Sequence, residues 1–318
     1  MDALTGLLDG PRARGAFMLR SIMDPPWSVR VQDRAPLSLV AIAEGVAWVV
    51  HDDGDPVRLA PGDVAITRGP DPFTFADDPS TPPQVVIHPG QRCTTPDGED
   101  LTQAMDLGVR TWGNDPNGST TMLVGTYQMR REVSRRLLEA LPSLVVLPDG
   151  DWNRAVLPLL GAEIVKDDPG QEVVLDRLLD LLLIAALRTW FSRPDSGAPA
   201  WYRADGDPVV GRALRRLHNN PATAWTVAML AAATGVSRAS FARRFNDLVG
   251  EPPMSYLTGW RLTLAADLLR EPDATIAAVA RQVGYSSPFA LSTAFKRVRG
   301  ISPQEHRTRA SDLGDTAA

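Results

Sequence analysis

The sequence predicts an α+β protein of two domains: an N-terminal β-barrel with added helices, followed by an all-α domain that carries two helix-turn-helix units. Three observations support this prediction. The 318 residues exceed the usual size of a single domain. Short apolar runs separated by Gly, Pro and Asp clusters fill residues 17–129, a pattern typical of β proteins. Two stretches in the last third repeat one helix, glycine, helix pattern, with Gly235 and Gly284 49 residues apart.

The N-terminal segment is predicted to form many short strands joined by tight turns. The Asp-Asp-Gly-Asp-Pro run after His51 and the Pro-Gly-Asp run ending at Asp63 are typical turn sequences. Closely spaced short strands favour a small barrel or sandwich. Apolar or β-branched runs lie at 37–42, 47–51, 57–59, 63–67, 84–88 and 120–129. Beyond about residue 130 the periodicity becomes helical, which predicts helices over 131–141, 153–166 and 171–191.

The longest predicted helix, 171–191, is expected to be buried on more than one side. Its stretch 181–187 is apolar all round. One side can pack on its own domain, and the other can meet the same helix of a second subunit, which predicts a homodimer through 171–191. The alternative is a helix buried wholly within its own domain.

The predicted domain boundaries follow changes in composition. Residues 1–193 form the N-terminal domain, with strands to about 129 and helices over 130–193. The Pro-, Gly- and Ala-rich segment 194–206 predicts a linker. Residues 207–310 form the second domain, which Asp207 opens as an N-cap with Pro208 as the first helical residue. Residues 311–318 are predicted to be a flexible tail.

Charge divides the chain into an acidic and a basic part. Residues 207–310 hold 14 Lys and Arg against 7 Asp and Glu, a net charge of +7. The remainder holds 19 basic and 31 acidic residues, a net of −12. A basic module is suited to phosphate binding. The chain shows neither a secretory signal nor an apolar run long enough to span a membrane, which predicts a cytoplasmic protein.

The first helix-turn-helix unit is predicted to present a basic face to DNA. Thr226 caps its first helix, Gly235 makes the turn, and Ser237 caps the second helix. Buried positions at Phe241, Phe245 and Leu248 leave the opposite face outward. Small residues on that face let a helix enter the major groove, and arginines reach guanine edges or phosphates. The candidate DNA-binding residues are Thr226, Ser237, Arg238, Ala239, Ala242, Arg243 and Arg244.

The second unit repeats the arrangement with one additional residue after its glycine. Thr275 caps the first helix, either Ser286 or Ser287 caps the second, and Leu291 and Phe295 make the buried stripe. A long helix predicted over 253–269, about 25 Å by its rise per residue, joins the two units. Such a rod can place two recognition helices about one DNA turn, roughly 34 Å, apart. The candidate DNA-binding residues here are Thr275, Ser286, Ser287, Pro288, Phe289, Ser292, Thr293, Lys296 and Arg297.

This region resembles the AraC/XylS family of transcriptional regulators over about 100 residues, 207–310. The resemblance implies a DNA-binding domain whose two recognition helices enter the major groove of double-stranded promoter DNA, and control of transcription through contact with RNA polymerase. Thr293 stands where relatives commonly have arginine, and Phe289 where they commonly have a small polar residue. The first unit is therefore expected to carry most of the specific recognition, with Phe289 against thymine methyls. The run that carries the resemblance is Gly284-Tyr-Ser-Ser-Pro-x-x-x-Ser-x-x-Phe-Lys-Arg-x-x-Gly-x-Ser-Pro-x-x-His-Arg307.

The N-terminal region resembles the cupin-like sensor domain of one AraC branch, which implies ligand sensing or dimerisation. The matching runs are Pro25-Pro26-Trp27, Ala35-Pro-Leu37, Gly45-x-Ala-Trp48, Leu59-x-Pro-Gly-Asp63 and His88-Pro-Gly-Gln-x-Cys93. The candidates for sensing a small-molecule effector or a redox signal are Trp27, Trp48, His88 and Cys93. Phe73 and Phe75 are further candidates for a pocket, although aromatic residues in a small barrel belong more often to the core. Cys93 is either a reactive thiol with a lowered pKa or an unreactive, half-buried one, and the second is favoured.

Enzymatic alternatives lack the residues that they require. A metal-dependent cupin enzyme needs two or three converging histidines and a carboxylate. His218 and His306 fall in the helical domain, which leaves only His51 and His88. A DNA-repair alkyl-transfer protein needs several zinc-binding cysteines, and Cys93 is the only cysteine. The sequence thus predicts no enzyme activity, no metal and no cofactor. An interaction module that does not bind DNA is disfavoured by the +7 charge of the helical domain.

Overall fold

The computed structural model describes residues 17–52, 54–127, 138–152, 155–194, 196–271 and 273–315. These residues belong to two compact units. The N-terminal unit contains 17–127 and 138–197, and the C-terminal unit contains 198–315.

The N-terminal unit is built on two β-sheets. The larger, seven-stranded sheet has the order β10-β11-β1-β12-β3-β6-β13, and the smaller, six-stranded sheet has the order β5-β4-β7-β2-β8-β9. The strands are β1 (Phe17–Met23), β2 (Ser28–Val31), β3 (Leu37–Glu44), β4 (Ala47–His51), β5 (Val57–Leu59), β6 (Val64–Arg68), β7 (Phe73–Ala76), β8 (Val85–Ile87), β9 (Cys93–Thr94), β10 (Asp106–Gly108), β11 (Thr111–Gly113), β12 (Thr120–Tyr127) and β13 (Leu144–Leu147). This strand-rich unit, together with the helical one, confirms the predicted fold class.

One core lies between the two sheets. Alternate residues of each strand point inward, as the two-residue period of a strand requires. Trp27, Val49 and Leu59 are fully buried in this core, where Val40 and Met122 contribute from the larger sheet. The sheets therefore close around apolar side chains from both, as in a small barrel.

The region predicted to be helical between 130 and 193 also contains a strand. β13 pairs antiparallel with β6 and extends the edge of the larger sheet. Its Leu-Val-Val-Leu sequence is rich in β-branched and apolar residues and lies between Pro142 and Pro148, which is too short a space for a stable helix. Most of the helix predicted over 131–141 lies outside the described residues.

Two helices follow β13: α1 (Val156–Ile164) and α2 (Gln171–Ser192). The α2 helix packs closely on β12, because Gly125 leaves room for the Leu179 side chain and the Tyr127 hydroxyl donates a 2.8 Å hydrogen bond to the Leu179 carbonyl oxygen. In the single chain, Leu182, Leu183 and Leu187 of the 181–187 stretch are buried and Leu181 is 49% exposed. Burial of the second side against another subunit stays a prediction. Val173 and Val174 are also exposed. The outer side of α2 therefore carries these three apolar residues together with the exposed Arg177 and Arg188.

The C-terminal unit consists of helices. They are α3 (Ala200–Asp205), α4 (Val210–Asn219), α5 (Val227–Thr234), α6 (Arg238–Val249), α7 (Pro253–Leu268), α8 (Ile276–Gln282), α9 (Pro288–Arg299) and α10 (Pro303–Asp315). The α10 helix includes residues 311–315, which the sequence assigned to a flexible tail, and 316–318 lie outside the described residues.

Residues 200–205 form helix α3, where the sequence predicted part of a linker. Ala204 is 1% exposed and belongs to the core of the first helix-turn-helix unit, with Trp201 packed beside it. Gly211 of α4 permits the approach, since a Cβ there would lie 2.0 Å from the Asp205 carbonyl oxygen. The apolar pair at 201 and 204 is spaced for one helical face, a signal too short to recognise without the surface it covers.

Each helix-turn-helix unit has its own core. Phe241, Phe245 and Leu230 are fully buried in the first, and Leu291 and Phe295 in the second. Contrary to prediction, Leu248 is 38% exposed and Val249 is buried in its place. Asp207 caps α4 as predicted by accepting hydrogen bonds from the N–H groups of 209 and 210, although the helix itself starts at Val210.

Residues 221–223 form a corner of the chain that contacts both α7 and the second helix-turn-helix unit. From α7, the Arg261 guanidinium donates 2.7 Å hydrogen bonds to the carbonyl oxygens of Pro221 and Thr223. Gly284, at the turn of the second unit, packs against Ala222, so that a Cβ at 284 would lie 2.6 Å from the Ala222 carbonyl oxygen. The two turn glycines therefore differ, since Gly235 has open space where its Cβ would be.

We expect Gly235→Ala and Gly284→Ala to have unequal costs. Both glycines have positive φ, +76° and +82°, which costs an alanine about 1–2 kcal/mol. Gly284→Ala also drives a Cβ into backbone, so it should lower the free energy of unfolding by about 3 kcal/mol or more. Urea denaturation of the two variants measures the difference. Equal destabilisation would show that the 221–223 corner does not constrain residue 284.

Candidate nucleic-acid interface

The first candidate recognition helix, α6, is capped and oriented as the sequence predicted. The Ser237 hydroxyl accepts a hydrogen bond from the N–H of Ser240 at 3.2 Å. Phe241 and Phe245 are fully buried and fix which side of the helix faces inward. The opposite side is polar and basic: Arg238, Ala239, Arg243 and Arg244 are exposed, and Ala242 is half-buried.

The three predicted arginines of α6 have different environments. Arg238 and Arg243 make no hydrogen bond or ion pair with any other described residue, so their guanidinium groups are available to a ligand. Arg244 instead holds Asp207 through Nε at 3.1 Å and through its terminal nitrogen at 2.6 Å. Burial acts to raise the pKa of Asp207, but hydrogen bonds from Arg244 and from the backbone N–H groups of α4 hold it below its ordinary value. Arg244 thus supports the N-terminus of α4.

The second candidate helix, α9, presents a different surface. Of the two possible caps, Ser287 is the one used, and its hydroxyl accepts from the N–H of Ala290 at 3.1 Å. Phe289 is 80% exposed, the most exposed large apolar residue of the described chain. Around it, Ser286, Pro288, Thr293, Lys296 and Arg297 are exposed, while Ser287 and Ser292 are half-buried.

The first helices of both units are capped by threonine. Thr226 accepts a hydrogen bond from the N–H of Met229, and Thr275 accepts one from the N–H of Ala278, both at 3.1 Å. Both threonines are exposed. Remaining N–H groups at such helix starts are suited to phosphate oxygens, as helix N-termini carry partial positive charge.

The four sensing candidates of the N-terminal unit do not form one site. Trp27 is fully buried in the core between the sheets, and Trp48 is half-buried on β4. His88 shares hydrogen bonds with Gln32 at 3.3 Å and with Thr94 at 2.9 Å. Cys93 alone lines a cavity of about 120 Å³ between the two sheets.

The cavity is also lined by aromatic residues outside the four sensing candidates. Phe73 and Phe75, which sequence reasoning assigned more readily to the core, line it. Trp112 was not predicted at all. It reaches the cavity because β11 pairs in parallel with β1, with Trp112 opposite Ser21, a contact between residues some 90 positions apart that no local pattern announces.

Cys93 has the properties of an unreactive thiol. It is 4% exposed. Burial raises its pKa to about 11, against a smaller opposing effect of a hydrogen bond with the Trp112 side chain. The thiolate is the reactive form of cysteine, so little of it exists at neutral pH. Among the described residues, no three His, Cys, Asp or Glu side chains are grouped so that they could hold a metal ion.

Comparison with known proteins settles the family. A family model described as a cupin matches residues 2–192, and one described as a helix-turn-helix domain matches residues 230–309. An AraC-like transcription regulator of Streptomyces lividans is 32% identical over 313 residues, 96% of this chain and 98% of that protein. The chain belongs to the AraC/XylS family.

Two further proteins are similar to this AraC/XylS protein. An RCS-specific HTH-type transcriptional activator of Escherichia coli K12 is 29% identical over 98% of this chain and 99% of that protein. The crystal structure of the DNA-binding domain of AdpA, a global transcriptional factor, in complex with a target DNA has 34% identity and covers 33% of this chain and 93% of that domain, with a TM-score of 0.31. The helix-turn-helix family model and the full-length AraC-like relative show that the protein is a DNA-binding transcriptional regulator of the AraC type. No helix in its described residues has the length and hydropathy needed to cross a membrane.

The buried thiol of this AraC/XylS regulator leads to a prediction about labelling. A pKa near 11 rather than the ordinary 9.0 leaves about 100-fold less thiolate at neutral pH. In the native protein, Cys93 should react with iodoacetamide at least about 100-fold more slowly at pH 7.5 than in urea, and the native rate should keep rising with pH beyond 9. A native rate that levels off below pH 9, or one equal to the denatured rate, would contradict the buried-thiol assignment.

Proposed function

We propose that this AraC/XylS regulator binds double-stranded promoter DNA by inserting α6 and α9 into two major grooves on one face of the duplex. The observation that carries the proposal is the paired arrangement of the two helices. Each starts at a serine cap, buries two apolar residues on one side and leaves its other side exposed and polar or basic. A major groove admits a helix of this kind.

The connecting helix α7 supplies the spacing. Its 16 residues span about 24 Å at 1.5 Å per residue. With the radii of the helices at each end, this length is suited to grooves about one DNA turn, roughly 34 Å, apart. The Arg261 hydrogen bonds to residues 221 and 223 fix the connection between the two helix-turn-helix units against α7.

The two helices are proposed to read DNA by different contacts. Arg238 and Arg243 are exposed and unpaired among the described residues, which suits them to guanine edges or phosphates. Ala239 between them lets the backbone approach the groove floor. On α9, the exposed ring of Phe289 offers apolar contact to thymine methyl groups. Arg244, held by Asp207, contributes through the position of α4.

The N-terminal unit is proposed to sense a signal and to mediate dimerisation. Its cavity supports a small-molecule effector more strongly than a redox signal at Cys93, because that thiol is buried and protonated. The exposed apolar residues of α2, Val173, Val174 and Leu181, support a homodimer. A signal would act by shifting the population between arrangements that do and do not bind DNA, and bound regulator would contact RNA polymerase at the promoter.

Selection of bound fragments from random-sequence DNA, with full-length protein at physiological salt, tests the DNA-reading proposal. We expect an enriched motif with two elements about 10 base pairs apart. Binding should weaken steeply as salt rises, because phosphate contacts release counterions. Failure to enrich any motif, with the full-length protein and with residues 198–318 alone, would refute sequence-specific recognition.

The same selection with single variants separates reading from support. Arg243→Ala should erase sequence preference in one element, with a loss of about 1–3 kcal/mol at a specific site and less at a random one. Arg244→Ala, the adjacent arginine, should leave the motif intact and lower the melting temperature instead. If Arg243→Ala weakened specific and random sites equally, the assignment of base recognition to α6 would be wrong.

Dimerisation through α2 is tested by Leu181→Glu. The carboxylate would lose its hydration inside the interface, a cost that the neighbouring Arg177 offsets only in part, so the dimer dissociation constant should rise at least about tenfold in sedimentation equilibrium. Gln103→Glu adds the same charge at an exposed position outside α2 and should leave the dimer dissociation constant unchanged. A monomeric wild-type protein, or an unaltered Leu181→Glu dimer, would exclude this interface.

A further inference from the structure

The cavity of the N-terminal unit lies between inward-facing residues of both sheets. From the larger sheet it is lined by alternate residues of β1, β3 and β12, and from the smaller sheet by alternate residues of β2 and β7. Leu19 and Val124 lie in mid-strand yet keep partial exposure, because they border this open space. The space is therefore a feature of the barrel interior and does not arise from a loop.

The middle of the cavity is apolar. Strand pairing sets Leu19 opposite Val124 and Val124 opposite Val40 across the larger sheet. On the smaller sheet, Val31 pairs with Phe73 and also with Ile87. An apolar cavity of this kind holds water poorly and favours an apolar occupant.

Polar groups stand at the two ends of the cavity. Ser21, opposite Met122, marks one end, while Thr126 and Ser38, which pair with each other, mark the other. Four residues of β12 separate these levels, about 13 Å at 3.3 Å per residue. Ser21 is 3% exposed, and its hydroxyl has no hydrogen-bond partner among the described residues. A serine hydroxyl moves among three staggered positions by rotation about one bond, so a ligand atom in the cavity can engage it.

The charges of the lining restrict what can bind. Asp33 is the one carboxylate among the lining residues, and its two oxygens already accept hydrogen bonds from the Ala35 N–H and the Gln91 amide, both at 3.0 Å. None of the described residues that line the cavity is Lys, Arg or His. An anionic ligand would meet apolar walls and a carboxylate, and burying an unpaired charge is costly.

We propose that this cavity binds a small uncharged ligand: a single ring or short chain with one hydroxyl or carbonyl group that hydrogen-bonds to Ser21. Its volume of about 120 Å³ is close to the roughly 150 Å³ of an apolar cavity that accommodates benzene. As the effector site, the cavity rests on the sensing role proposed above, but ligand binding itself is measured without DNA.

Ligand-detected NMR titrations of the full-length protein test the class of ligand. The probes are benzyl alcohol, toluene and benzoate, which share a ring and differ in hydroxyl and charge. Benzyl alcohol should bind saturably, and benzoate at least about tenfold more weakly. Absence of saturable binding of both neutral probes up to about 5 mM, a weak limit for eight heavy atoms, overturns the proposal, as does benzoate binding equal to that of the alcohol.

Two variants locate the site. Val124→Phe fills the cavity and should weaken both neutral probes at least about tenfold. Ser21→Ala removes one oxygen without altering packing, so it should weaken benzyl alcohol about three- to tenfold and leave toluene unchanged. The Ser21→Ala comparison remains decisive if Val124→Phe does not fold. Equal effects on the two probes would show that Ser21 is not the polar contact.

The same protein preparations are assayed for DNA binding, which separates the two proposals. Probe binding without sequence-specific DNA binding would refute the proposed regulatory function while supporting the ligand class. Specific DNA binding without probe binding would refute the ligand class alone.

Discussion

The arrangement of the C-terminal unit depends on the corner at residues 221–223. Each helix-turn-helix unit could form its own core around two phenylalanine or leucine side chains, but neither core determines where the other recognition helix points. The guanidinium of Arg261 donates hydrogen bonds to the carbonyl oxygens of Pro221 and Thr223 and so ties this corner to α7. Gly284 lets the second unit close on Ala222 at backbone distance. The position of α6 relative to α9 therefore depends on the backbone of residues 221–223 and on the Arg261 side chain.

Local signals made the helix-turn-helix units predictable, and long-range packing set the limits. Serine and threonine caps, turn glycines and apolar residues four apart act within one or two turns, so the sequence alone identifies them. Leu248 and Val249 show where this stops: both positions are compatible with the stripe of Phe241 and Phe245, and only the neighbouring helices decide which is buried. Helix α3 and strand β13 were missed for the same reason, since both are short and form because a partner surface is present.

The candidate sites divide along the same line. Exposed faces of α6 and α9 follow from helical periodicity, so the sequence alone predicts which residues lie on them. The difference between Arg243 and Arg244 was not predicted, because Asp207 lies 37 residues from Arg244 and precedes a different helix, α4. In the N-terminal unit, Cys93 lies in the His88–Cys93 segment that resembles cupin-like sensor domains, so the sequence drew attention to it. Ser21 and Trp112 meet only through the parallel pairing of β1 with β11. Cavities in β-barrels are built from such distant pairs, and no single-sequence pattern records them.

Strand β12 connects the two features of the N-terminal unit that bear on regulation. Its residues alternate in direction: Met122, Val124 and Thr126 line the cavity, while Gly125 and Tyr127 contact Leu179 of α2. Strand β12 therefore separates the cavity from helix α2. Closely packed elements do not deform continuously. They transmit a displacement by changing between discrete arrangements. A ligand in the cavity can alter association through α2 only to the extent that it prefers one position of β12, and the Tyr127 to Leu179 hydrogen bond is the contact that such a preference must keep or break.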